Sequence, residues 1–174
     1  MTTQGIDFAT LSLQDALDLA ILIEEEAEER YVEFTHQMEA HRTPEAAAFF
    51  RFMAGNEARH RVQLFRRRRA LFADAPRRVS RAMLWDVEAP DFDEARAFMS
   101  PRCAMETALR CEEKAHAFFV AALPRVHDAD VRQLFEELRD EEVEHQDLVK
   151  KELAKLPPEP ALNPDDFEDD PTAQ

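Results

Sequence analysis

Residues 50–64 run FRFMAGNEARHRVQL, and residues 135–149 run FEELRDEEVEHQDLV. Laid over each other at an offset of 85 residues, they pair Phe50, Met53, Glu57, His60 and Leu64 with Phe135, Leu138, Glu142, His145 and Val149. At about 100° per residue the apolar positions of each stretch fall on one helical face, with the glutamate in the middle of it. Each histidine lies about 60° round from its glutamate and one turn along. A carboxylate aimed into an apolar face loses its hydration, a heavy cost unless a partner compensates it.

A second repeat supplies partners. Ala16, Ala20, Glu24, Ala27 and Tyr31 match Ala104, Ala108, Glu112, Ala115 and Phe119 at an offset of 88 residues. Helical phase sets Glu24 among Leu13, Leu17, Ala20, Ala27, Tyr31 and Met38, and Glu112 among Met105, Ala108, Ala115 and Phe119. The chain therefore reads as two similar helical hairpins, with a buried glutamate in every helix.

Helix boundaries follow from local chemistry. Ser12 is the expected N-cap of a helix running to about Ala40. Thr43 and Pro44 open a second, ending near Phe72, since a proline at the first helical position loses no hydrogen bond. Ser100 and Pro101 open a third, which stops before Pro124, and a fourth begins near Asp128 and stops before Pro157 and Pro158. Only 2 glycines occur in 174 residues, as suits an all-α chain. Short links join the first pair and the last pair as antiparallel hairpins. Between the pairs runs a long crossover from Ala75 to Met99 that holds Trp85, with a short helix expected around Asp93 to Phe98. The expected domain is residues 1–156, followed at 157–174 by an acidic, disordered tail that carries Glu159, Asp165, Asp166, Glu168, Asp169 and Asp170 without a basic residue.

The formal net charge of −15 argues against nucleic acid, whose phosphates need displacing cations, and favours cationic partners. The Arg66 to Arg69 run falls near a helix end, where positive charge complements the helix dipole. Cys103 and Cys111 are roughly 12 Å apart along one helix, too far to bond each other, and unbridged thiols suit a reducing cytoplasm. No apolar run approaches the ~20 residues that span a bilayer, so direct membrane insertion is not expected.

Four core carboxylates require cations. Two divalent ions carry the charge that balances Glu24, Glu57, Glu112 and Glu142, and neutral His60 and His145 complete the ligand set. Glu57 and Glu142 are the expected bridges, with Glu24 and Glu112 terminal. Carboxylate and imidazole donors suit iron, with manganese or zinc as alternatives. Glu-x-x-His also occurs at Glu33 to His36 and at Glu113 to His116. Glu33 and His36 lie about 180° and 120° from Glu24, so they face solvent. Glu113 is about 100° off the core direction, while His116, only about 40° off, is the main rival residue, with a helix-edge role as its plainer reading.

One Glu from each of two helices and Glu-x-x-His from each of the other two is the general pattern of ferritin-like di-metal bundles. With Glu24-Glu25-Glu26-Ala27 leading to Tyr31, the sequence from about Ser12 to Leu156 resembles the rubrerythrin branch of the ferritin-like superfamily. It looks closest to the rubrerythrin-like domain of membrane-bound ferritins and to free-standing relatives, and it is expected to be one or the other. The resemblance implies an antiparallel four-helix bundle, a homodimer, two Fe ions and an oxidoreductase. Its substrates would be Fe(II) with O2 or hydrogen peroxide, in iron detoxification or delivery. Tyr31, whose repeat mate is Phe119, is the candidate catalytic group beside the ligands, hydrogen-bonding a ligand or donating an electron. Two departures from rubrerythrin proper stand out. The sequence holds no Cys-x-x-Cys motif, so a peroxidase reading requires an external electron donor. Ala115 also stands where rubrerythrins carry an additional carboxylate. A non-enzymatic iron-sensing or interaction module is the reading from a different class.

Overall fold

The computed structural model describes residues 6–83 and 100–158. It holds α1 (Leu13–Ala40), α2 (Pro44–Phe72), α3 (Pro101–Ala122) and α4 (Ala129–Leu153), with single 3-10 turns at Arg81–Met83 and Leu123–Arg125 and no strand among the described residues. α1 packs chiefly on α2 and α3 on α4, which gives the two expected hairpins of a ferritin-like bundle. The expected helix at Asp93 to Phe98, Trp85 and the tail from residue 159 onward lie outside the described residues.

Three of the four expected caps form. The Ser12 hydroxyl accepts from the Asp15 amide at 3.2 Å, Ser100 from Cys103 at 3.1 Å, and Asp128 from the Asp130 and Val131 amides at 2.9 and 3.0 Å. Thr43 differs: its hydroxyl donates to the Met38 carbonyl at 3.0 Å, and its amide donates there as well at 2.9 Å. The preceding helix takes both groups because α1 ends in a tight reversal with Arg42 at φ 58° and its amide bonded to Glu39. This is a Schellman closure with arginine in the left-handed position that glycine usually fills. Pro44, lacking an N–H, leaves α2 one fewer donor to cap.

The core forms two apolar clusters. One gathers Leu17, Ile21, Leu64, Phe119, Phe135 and Leu138, with Phe8 of the leading segment packed edge-on against Phe118 and Phe135. The other gathers Tyr31, Phe34, Phe50, Met53, Met105 and Val149. On every helix the repeated glutamate falls between residues of the first cluster and residues of the second. The carboxylates therefore form a polar layer in the middle of the bundle.

α1 is more buried than a one-faced amphipathic helix. Every residue from Ala16 to Glu24 is buried. Its outer side is covered by the start of the crossover: Gln14 donates to the Pro76 carbonyl at 3.0 Å, Arg78 pairs with Asp15 at 2.9 Å and Arg81 with Glu29 at 2.6 Å. Asp18, fully buried, is held by the Arg68 guanidinium through bonds of 2.9 and 3.3 Å, and Arg68 also donates to the carbonyls of Ala73 and Ala75. That grip holds Ala73 at φ 49°, a strained value for a residue with a side chain. The crossover arginines thus fasten the link to α1.

Candidate metal centre

The mid-bundle layer brings all six expected residues together. Glu24, Glu57, Glu112, Glu142 and His145 are buried, and the His60 side chain is 20% exposed. His145 Nδ1 lies 3.3 Å from Glu57 Oε1 and 3.3 Å from Glu112 Oε2. His60 Nδ1 lies 3.9 Å from Glu24 Oε2. The two imidazoles stack with centroids 5.2 Å apart and planes within 7°. His60, His145 and Glu57 can bring one donor atom each within 4.8 Å of one another, as can Glu112, Glu142 and His145. Glu57 thus reaches both histidines, the position a bridging ligand needs, whereas Glu142 groups with the His145 half.

The electrostatics are those of a buried layer of acidic groups and imidazoles. Burial holds the Glu24 carboxyl well above the usual carboxylate range, reinforced by the charge of Glu57 and a hydrogen bond with its carboxyl. Burial, then the neighbouring His145 and Arg59, press His60 down to about 4, so it is a neutral imidazole at pH 7. His145 is buried too, which alone favours its neutral form. The Glu112 hydrogen bond and the charges of Glu112, Glu24 and Glu141 outweigh burial and raise it. Glu24 Oε2 and His60 Nδ1, both buried atoms, have no hydrogen-bond partner among the described residues. Buried polar atoms left without a partner in this way are consistent with metal ligation. The set of four carboxylates and two imidazoles fits a pair of divalent metals in hardness and in charge.

The rival histidines stay apart. Glu33, His36 and Glu113 are exposed, and His116 is half-buried but joins none of the donor clusters among the described residues. Tyr31 is 2% exposed, stacked on Phe50 at 6.1 Å, and its hydroxyl has no hydrogen-bond partner among the described residues. It lines a small cavity between α1 and α3 together with Ala27, Arg30, Cys111 and Glu112. Cys103 and Cys111 form no disulfide. No helix among the described residues is long and apolar enough to cross a membrane.

One residue at the centre escaped the sequence reading. Glu141 Oε2 lies 3.8 Å from His60 Nδ1, and Glu141 with Glu24 and His60 forms a third donor cluster within 4.8 Å. Glu141 is about 100° from the core direction of α4, the same phase that dismissed Glu113. The repeat gave no signal for it, because position 141 pairs with Asn56, whose burial only the structure shows.

Comparison with known proteins agrees with the fold. No curated protein matches the chain. A solved structure of an uncharacterized conserved protein from Magnetospirillum magnetotacticum MS-1 is similar at 31% identity and a TM-score of 0.70, covering 88% of this chain and 100% of that one. The family model described as Rubrerythrin matches residues 15–153, a span that includes all four helices almost entire and every residue of the polar layer. The chain belongs to the rubrerythrin family.

Proposed function

We propose that this protein is a non-haem di-iron oxidoreductase that oxidises Fe(II) with O2 or hydrogen peroxide, in iron detoxification or delivery. The supporting observation is the buried layer itself: four glutamates and two histidines from four helices, with Glu24 and His60 carrying buried atoms that lack hydrogen-bond partners among the described residues. Glu24, Glu57, His60, Glu112, Glu142 and His145 would hold the metals. When bound, a pair of Fe(II) ions supplies two electrons to an O–O bond at one place.

The residues of the chain do the rest. His60, pressed down to about 4, offers its lone pair at neutral pH without first losing a proton. Glu57, within reach of both imidazoles, would serve as the ligand shared between the two halves of the layer. The apolar clusters above and below exclude water and hold the glutamates in one arrangement. Gln146 donates to the Glu112 backbone carbonyl at 3.3 Å and ties α4 to α3 beside the site. Tyr31, which lines the same small cavity as Glu112, supplies a hydroxyl to hydrogen-bond a small oxidant. A homodimer and a cytoplasmic setting belong to the same reading.

The test is stopped-flow absorbance on protein loaded anaerobically with two equivalents of Fe(II), then mixed with O2 or hydrogen peroxide. Consumption of oxidant with growth of ferric absorbance is expected. Metal binding without oxidant consumption would favour an iron-sensing or interaction module, and sustained turnover with an added electron donor would favour the peroxidase.

A further inference from the structure

The internal repeat makes the two halves of the polar layer near copies, so their differences are informative. His145 is matched by His60 and Glu112 by Glu24, and the corresponding pairs stand 3.3 and 3.9 Å apart. The repeat mate of Asn56, however, is Glu141. The His60 half therefore carries an additional carboxylate, Glu141, at a repeat position that on α2 is a neutral amide. It is also the more open half: the His60 side chain is 20% exposed against 6% for His145, and the Glu141 side chain is 39% exposed.

A cleft between α2 and α4 leads to that half. It is lined by His60, Gln63, Arg67, Leu134, Glu137 and Glu141 and holds about 150 Å³, room for a divalent ion with several of its waters at about 30 Å³ each. Glu137, one turn before Glu141, is engaged with Arg67 at 2.9 Å, which leaves Glu141 as the carboxylate that meets an incoming cation. Behind it stands Glu24, 4% exposed, with Oε2 lacking a hydrogen-bond partner among the described residues and placed within 4.8 Å of donor atoms of His60 and Glu141.

Resting on the di-metal reading above, we propose that the two metal positions are inequivalent. The His60 half is the exchangeable position, loaded through the α2–α4 cleft, and Glu141 is the carboxylate that first takes the cation and passes it to Glu24 and His60. The ion trades water for carboxylate at the half-exposed Glu141, then for carboxylate and imidazole inside. No bond other than these ligand exchanges is made or broken. The His145 half, closed to solvent and without this additional carboxylate, fills more slowly and retains its ion longer.

Co(II) serves as the probe, because its visible absorbance reports binding without any redox turnover. Wild-type protein is expected to take up two equivalents in two phases and to yield one of them faster to a chelator. Glu141→Gln, which keeps shape and removes charge, is expected to slow the fast phase and to weaken one equivalent about tenfold, with the second unchanged. Glu113→Gln, an exposed carboxylate on α3, controls for general attraction by the acidic surface and should change neither phase. An unchanged fast phase in Glu141→Gln, or equal slowing by both variants, overturns the proposal. Fewer than two equivalents in the wild type would instead overturn the di-metal reading, and this one with it.

Discussion

The surroundings of the two histidines of the centre shift them in opposite directions, although the repeat makes them equivalent in sequence. In the metal-free protein, NMR should follow His60 titrating near 4 and His145 above the ordinary 6.5. Two imidazoles both titrating close to 6.5 would mean that the layer is not packed as described. The signs carry over to stability. His60, depressed on folding, contributes stability above 6.5 that is lost as the pH falls through about 4. Glu24, raised on folding, acts the other way: its contribution is full below the ordinary carboxylate value of 4.5 and is lost as the pH rises through its elevated pKa. Glu24→Gln should therefore stabilise the metal-free protein at neutral pH by about 1–3 kcal/mol, since a neutral isostere replaces a desolvated acid. The same change should abolish paired metal binding. Thermal melts with and without Co(II) measure both, and destabilisation of the metal-free variant would show that Glu24 is a structural acid.

Among the elements, the junction of α1, α2 and the crossover centres on the buried Asp18, which Arg68 holds at 2.9 Å and Arg77 approaches at 3.6 Å. Arg68→Leu removes the closer partner of the fully buried Asp18 and leaves only Arg77 near it, so it should cost about 3 kcal/mol in urea unfolding, the lower end of what breaking a buried pair costs. Pairing it with Asp18→Leu should recover most of that loss, because two apolar groups of similar size need no partner. An Arg68→Leu variant as stable as wild type would show that Arg77 alone supports Asp18. Helix ends were largely legible in the sequence, because Ser12, Ser100 and Asp128 act within three residues of themselves. Thr43 was not, since its hydroxyl answers to the end of the preceding helix instead of the start of its own. The continuous burial of α1 from Ala16 to Glu24 was also hidden. It arises from the leading segment and the start of the crossover, whose Phe8, Val79 and Met83 join or pack against the first apolar cluster and whose Arg77 reaches back to Asp18.

For the whole molecule, the repeat carried the reading furthest. Four glutamates in apolar stripes imply a shared interior layer, and two hairpins related by nearly equal offsets imply how the layer closes. The same reasoning could not reach Glu141. Its phase on α4 is that of a helix edge, and only the approach of α2 and α4 across the core brings it to His60. Which half of the centre faces a cleft was equally invisible, because it depends on the packing of four helices and not on any one of them. The measurement that bears most directly on the di-metal centre is anomalous diffraction from iron-loaded crystals, collected on either side of the iron absorption edge. Two iron peaks are expected within the polar layer, flanked by Glu57 and Glu142, one beside His60 and the other beside His145. No iron peak between Glu57 and Glu142 would contradict it.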